Sequence, residues 1–487
     1  MTRSGMTLAT AEHERYYRAI SARDARFDGV FFVGVHTTGI YCRPSCPAVT
    51  PKSSNVTFHR TAGSAHEAGF RACRRCRPDT TPGSPEWDVR ADATGRAMRL
   101  IRDGVVEREG VDGLANRLGY STRHLSRLLT TEVGAGPLAI ARSQRAATAR
   151  TLIETTTMSF ADVAFAAGFS SVRQFNDTIH QVYAASPTEL RSVRRAASSG
   201  GRLTLRLPVR QPFDARGVLD FLAARAVPGV EAVDGDTYVR AMRLHHGVAT
   251  VALEVRDSGV RMTPDLSDLR DLASAVQRCR QLLDLDADAC AIVDVLGSDD
   301  ALGLVVASAP GLRVPGHVDG FELAVRAILG QQVSVAGART TAAKIADRFG
   351  DPLATHDAAE RGLSRTFPTP ETVATVDPGD LGVPRQRGRA LVALADAMAA
   401  GSLVLEPGAD REDARAGLLG LPGVGPWTAG YIAMRALADP DVFLPTDLVV
   451  RKAMADIGAD DERTGDWAPW RSYAVLHLWR SQTNGAQ

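Results

Sequence analysis

Four of the six cysteines in this 487-residue chain share one stretch: Cys42, Cys46, Cys73 and Cys76, spaced C-x3-C, 26 residues, C-x2-C. Two short-spaced pairs are what a tetrahedral four-thiolate zinc site needs, because each pair closes a small loop around one edge of the ion. Arg43, Arg71, Arg74, Arg75 and Arg77 crowd these positions, and cations nearby favour thiolates and offset their charge. The spacing fits a purely structural zinc equally well and does not say whether any cysteine reacts. Cys279 and Cys290 stand apart. So few cysteines in so long a chain point to a reducing cytoplasm and to metal binding rather than disulfides.

A second group lies near the other end. LLGLPGVGPWTAGYIAMR (418–435) has the form of a helix–hairpin–helix turn. Gly423 and Gly425 there let backbone N–H groups approach a DNA phosphate at a helix N-terminus. Such a contact ignores base sequence, and a glycine-rich loop can also merely connect two helices. DVFLPTDLVVRKAM (441–454) follows and places an acid, Asp447, at the start of a helix.

The elements that must position these residues divide the chain into four, since 487 residues exceed one core. TTPGSPE (80–86) and AASSGG (196–201) read as linkers. Between them the pattern is helical. LTLRLPV (203–209) and VATVALEV (248–255) alternate as strands, with a helix over 213–226, and from about 311 onward the periodicity is helical. We expect a multidomain α+β protein with segments 1–83, 84–197, 202–310 (small α/β) and 311–487 (all-α). Residues 1–200 hold 27 Lys+Arg against 18 Asp+Glu, and the remainder 30 against 38. A basic first half suits a polyanionic partner. The N-terminus lacks the apolar run of a signal peptide, and no stretch of about 18 uncharged apolar residues occurs, so no membrane partner is expected.

HTTGIYCRPSC (36–46) and GFRACRRCRPD (69–79) resemble the hallmarks RTTGIFCRPSC and GFRPCKRCQPD of the Ada-type methylphosphotriester repair domain, across roughly 10–80. The resemblance implies one Zn²⁺ on Cys42, Cys46, Cys73 and Cys76, with Cys42 as the acceptor of a methyl group from DNA phosphate. A methyl phosphotriester carries an alkyl carbon open to displacement by a thiolate. With nothing to remove the methyl again, the step is expected to be stoichiometric. Arg43 and Arg71 are expected to contact DNA. No PCHR motif occurs, so the second methyltransferase that some Ada-type proteins carry is not expected.

VDGLANRLGYSTRHLSRLLTTEVG (111–134) and FADVAFAAGFSSVRQFNDTIHQVYAASPTELR (160–191) share a helix–turn–helix cadence broken at Gly119 and Gly168. Joined by one helix, the two resemble the DNA-binding domain of AraC-type regulators. Each second helix would enter a major groove, which puts Arg123, His124 and Arg127, then Arg173, Gln174 and Asn176, on the DNA side. Activation of transcription would add RNA polymerase as a partner.

The second half, over about 203–482, is similar to AlkA-type 3-methyladenine DNA glycosylases of the helix–hairpin–helix superfamily, through RAILGQQVSVA, WTAGYIAMRA, DVFLPTD and WRSYAVLHLW. The likeness implies hydrolytic excision of alkylated bases from duplex DNA with Asp447 as the catalytic carboxylate. Trp427, Tyr431 and Trp479 would form the pocket for the flipped base, and Gln332 would fill the gap that the base leaves. Each aromatic could instead be core filling. Lyase-competent relatives carry a lysine just after the second hairpin glycine. Here that place reads Pro426-Trp427, so a monofunctional glycosylase is expected. Relatives also bind a monovalent cation on hairpin carbonyls, which would be those of Leu419, Leu421 and Val424. The alternative to this whole reading is a DNA-binding transcription regulator whose repair activities have lapsed.

Overall fold

A computed structural model describes residues 4–24, 27–28, 30–73, 76, 78, 92–192, 203–353, 356–406 and 408–484. Both expected linkers, and Arg74, Arg75 and Arg77, lie outside these residues. The chain divides into two compact units, Met1–Pro208 with Leu272–Ser274, and Val209–Asp271 with Ala275–Gln487.

In the first unit, Phe32–Val35 (β1), Ile40–Cys42 (β2), Val56–His59 (β3) and Arg71–Ala72 (β4) form a sheet in the order β3-β1-β2-β4. β1 runs antiparallel to both β2 and β3, while β4 joins β2 in parallel. The small core is aromatic. Tyr16, from the helix Ser4–Ser21, stacks on Phe31 at 4.1 Å, and Phe31 meets Phe58 edge-on at 5.3 Å. This compensates for a sheet too short to bury much aliphatic surface.

The seven helices that follow are Asp92–Arg102, Val105–Arg117, Thr122–Val133, Pro137–Thr155, Phe160–Ala166, Val172–Tyr183 and Pro187–Ser192. Both expected helix–turn–helix units are present. Gly119 (φ +72°) and Gly168 (φ +83°) make the turns in a region that L side chains avoid. Ser121 and Ser171 then cap the second helices by accepting the N–H groups of His124 and Gln174. The helix Ala62–Glu67 of the zinc module packs on the Pro137–Thr155 helix. A Cβ at Gly63 would lie 3.3 Å from Ile140 Cα, so a larger residue would push the two helices apart by a few tenths of an ångström.

The strand expected at 203–209 shortens to Leu205–Leu207 (β5). In the second unit, Glu231–Asp234 (β6), Thr237–Arg243 (β7), Val248–Arg256 (β8) and Gly259–Leu266 (β9) form an antiparallel meander, beside the helix Ala215–Arg225. The small domain is therefore α+β in the strict sense. Residues beyond 311 are helical, around a core that includes Phe321, Leu323, Ile328, Leu394, Leu418, Ala429 and Ile432.

A buried charge network fixes the sheet to the helix Gly320–Leu329. Arg240, 1% exposed, reaches Glu231 at 3.1 Å and Glu322 at 2.7 Å, and Arg326 bridges the same two carboxylates at 3.0 and 2.9 Å. Burial alone would push both carboxyls up, but the guanidinia outweigh it and hold both below the usual range. Arg240→Met would leave the acids undercompensated, at a cost of about 3–5 kcal/mol. Denaturant unfolding of the full chain should show it as a lower midpoint in tryptophan fluorescence, because four of the five tryptophans lie in this unit.

Candidate active sites and nucleic-acid interface

The sheet of the first unit gathers the four cysteines. Cys42 ends β2, Cys46 follows one tight turn later, and Cys73 comes directly after β4, which β2 pairs with in parallel. One sulfur from each cysteine, Cys76 included, lies within 4.8 Å of the others. Cys42, Cys73 and Cys76 are buried and Cys46 is half-buried. Hydrogen bonding of the Cys42 thiol to Cys46, Cys73 and Cys76 raises its pKa, whereas Cys46 is lowered to about 7, chiefly by Cys42. Four thiols so close cannot all ionise without a cation among them, and a four-sulfur donor set is that of zinc. These cysteines form the site of one Zn²⁺.

Asp28 was not legible in the sequence. Its carboxylate accepts the Ser45 backbone N–H at 2.9 Å and the Ser45 hydroxyl at 2.5 Å, and it lies 3.5 Å from Arg43 Nε. It pins the Cys42–Cys46 loop from 17 residues upstream of Ser45, and nothing in its local pattern marks it. Arg71 is exposed on β4.

On the helix Thr122–Val133, Arg123, His124 and Arg127 are all exposed, with Tyr120 stacked on His124 at 4.9 Å. On Val172–Tyr183, Arg173 and Asn176 are exposed. Gln174 is half-buried, and its carbonyl oxygen accepts from the backbone and hydroxyl of Ser170 at 3.2 and 3.0 Å. Its amide oxygen is thus engaged in closing the turn.

Asp447 caps the helix Leu448–Asp456. Its Oδ1 accepts the N–H groups of Val449 (2.9 Å) and Val450 (3.0 Å) and the indole N–H of Trp479 (3.1 Å); its Oδ2 accepts the indole N–H of Trp427 (2.9 Å). Three donors converge on Oδ1 and one reaches Oδ2, which fixes the orientation of the carboxylate. Trp427 stacks on Tyr431 at 5.3 Å and 8°, and Trp479 lies 6.2 Å from Tyr431. All four line one cavity of about 660 Å³. That is room for a nucleobase.

The hairpin precedes this cavity. Gly423 has φ +77° and requires glycine, whereas Gly425 has φ −96° and caps the helix Pro426–Ala436 in an ordinary conformation. Gln332 is exposed, at φ +55°, in the turn after the helix Gly320–Leu329. Its neighbour Gln331 donates to the Gly423 carbonyl and the Thr428 hydroxyl, both at 2.9 Å. It therefore ties that turn to the hairpin, a long-range link with no local signal.

Among the described residues one other group has metal-ligand chemistry: Glu231, His317 and Glu322. Arg240 and Arg326 already provide the positive charge there, so these acids belong to the fold's ionic network. No helix among the described residues is long and apolar enough to cross a membrane.

Comparison with known families places four domains on this frame: the metal binding domain of Ada over 15–79, a helix-turn-helix domain over 114–192, the AlkA N-terminal domain over 204–319, and the HhH-GPD superfamily base excision DNA repair protein over 325–467. The second half is 37% identical, over 281 residues, to the DNA-3-methyladenine glycosylase 2 of Escherichia coli, covering 56% of this chain and 95% of that one. The solved 3-methyladenine DNA-glycosylase from Archaeoglobus fulgidus shares the fold, at a TM-score of 0.50 and 20% identity over 57% of this chain and 98% of that chain. The probable bifunctional transcriptional activator/DNA repair enzyme AlkA of Mycobacterium tuberculosis is 53% identical over 479 residues, 96% of each chain. Identity along nearly the full length, over a zinc cluster, paired helix–turn–helix units and a hairpin beside an aromatic cavity, shows that this chain belongs to the family of AlkA-type bifunctional transcriptional activator/DNA repair enzymes.

Proposed function

We propose that the protein both senses and repairs alkylated DNA, with segments 1–83 and 84–197 as methyl acceptor and DNA-binding regulator, and 202–310 with 311–487 as a base-excision glycosylase. The observation that carries the reading is the Asp447 carboxylate, held by two indole N–H groups at an aromatic cavity of base size.

In the excision step the bond between C1′ and the base nitrogen breaks, and its electron pair leaves with the base. An alkylated purine with a positive charge is a good leaving group, so the protein's main task is to stabilise the oxocarbenium sugar. Asp447 opposes that charge electrostatically. Its Oδ2 carries one donor, the Trp427 indole, and keeps an acceptor position for a proton of the attacking water. Water then adds at C1′. Trp427 and Tyr431 offer ring faces to the flipped base, Gln332 fills the gap in the duplex, and the Gly423–Gly425 hairpin holds the phosphate backbone. The hairpin carbonyls of Leu419, Leu421 and Val424 are the proposed seat of a monovalent cation. Because Pro426 and Trp427 stand where an amine would be needed, the reaction stops at an abasic site.

In the first half the Cys42 thiolate displaces the methyl carbon of a phosphotriester, and the phosphate oxygen leaves with the bonding pair. Bound zinc keeps the thiol deprotonated at neutral pH. The test of the excision arm is incubation with methylated duplex DNA. Free 3-methyladenine should appear while the strand stays intact until alkali is added. Strand cleavage before alkali would reveal an amine nucleophile.

A further inference from the structure

The cavity that holds Asp447 contains more cations than a binder of cationic bases needs. Arg225, Arg326 and Arg435 are among its lining residues. Arg435 is 3% exposed and fixed on two backbone carbonyls, Pro315 at 2.7 Å and Gly316 at 3.0 Å. Its remaining nitrogen donates to the Tyr431 hydroxyl at 2.7 Å. Arg225 lies 3.8 Å over the Phe221 ring, donates to the Phe221 carbonyl at 3.3 Å, and lines the same cavity. A guanidinium has donors and no acceptor. The phenol oxygen therefore accepts from Arg435, and its own hydrogen cannot go back to that guanidinium. It is left for an acceptor inside the cavity that Tyr431 lines.

We propose that Tyr431 is a proton donor to the departing base, which would extend excision to neutral purines that leave poorly without protonation. This rests on the base-excision reading above. In the step, the C1′–N bond breaks with its pair moving to the base, and the Tyr431 hydrogen passes as a proton to a ring nitrogen or carbonyl oxygen of that base. The tyrosinate left behind faces Arg435 and Arg225. Water adds at C1′, and the proton it releases restores the phenol, so the sum is simple hydrolysis. A cationic alkylpurine needs no such proton. Burial pushes the Tyr431 phenol up, but Arg435 and then Arg225 outweigh it and bring it down to about 8. The donor form is therefore present at neutral pH and is lost as pH rises through about 8.

The test is single-turnover excision by the full-length protein of two bases in duplex DNA: 7-methylguanine, which is cationic, and hypoxanthine, which is neutral and carries acceptors. Tyr431→Phe keeps the ring but removes the proton. The rate on hypoxanthine should fall at least ~10²-fold, a loss exceeding any on 7-methylguanine by at least ~10-fold. The wild-type rate on hypoxanthine should decline above about pH 8, and that decline should vanish in Tyr431→Phe. Arg225→Met, with one guanidinium fewer, should move the decline to higher pH. Equal losses on the two bases, an alkaline decline that persists in Tyr431→Phe, or a wild type that releases only 7-methylguanine would each overturn the proton-donor role. Release of neither base by the wild type would overturn the excision reading itself.

Discussion

Asparagine in place of Asp447 is expected to slow excision of 3-methyladenine by about 10²-fold or more in single turnover, the usual scale for removing one preorganised electrostatic group. The structure adds a second reason for the loss. The carboxylate accepts four N–H donors, and an amide has one oxygen to offer them. Its NH₂ must face at least one indole or backbone N–H and repel it. The helix Leu448–Asp456 should survive, because asparagine caps helices as well as aspartate does. DNA affinity should also persist, since the hairpin at Gly423 is a separate contact, and losing a negative charge near phosphate favours binding. Single-turnover rates and duplex affinity measured side by side check both parts. Near-normal excision would remove Asp447 from the mechanism.

Replacing Cys42 with serine is expected to abolish methyl uptake from DNA phosphotriesters, while base excision continues. In the wild type the label should appear on Cys42 and not on Cys46, Cys73 or Cys76, as peptide mass mapping would show. Methylation changes one of four anionic sulfurs into a neutral thioether. The repulsion of DNA falls by one charge, so the methylated protein should bind duplex more tightly at low salt, with the advantage shrinking as salt rises. Equal affinity at low salt would exclude the charge switch.

Much of both sites was legible because their chemistry is local in sequence. Zinc ligation needs short-spaced cysteine pairs, and the hairpin needs glycine at Gly423, where φ is +77°. The two helix–turn–helix units announced themselves through the breaks at Gly119 and Gly168, both of which adopt positive φ. What the sequence hid depends on distant partners. Trp427 and Trp479 looked like pocket walls, but their indole N–H groups converge on Asp447 from 20 and 32 residues away. The Arg435 anchor on the Pro315 and Gly316 carbonyls, the Asp28 clasp on the cysteine loop and the Arg240–Glu231–Glu322–Arg326 network also arise only once the chain has folded. Gln174 shows the converse. It sits where a DNA-facing side chain was expected, and its amide oxygen is engaged with Ser170.

The most direct test of the whole account uses one labelled substrate: duplex DNA bearing radioactive methyl groups on bases and phosphates, incubated with substoichiometric full-length protein. Label in free base should rise steadily over many turnovers. Label on protein should rise to one methyl per chain, at Cys42, and stop. Protein label beyond one per chain, or free base that plateaus at one per chain, would contradict it.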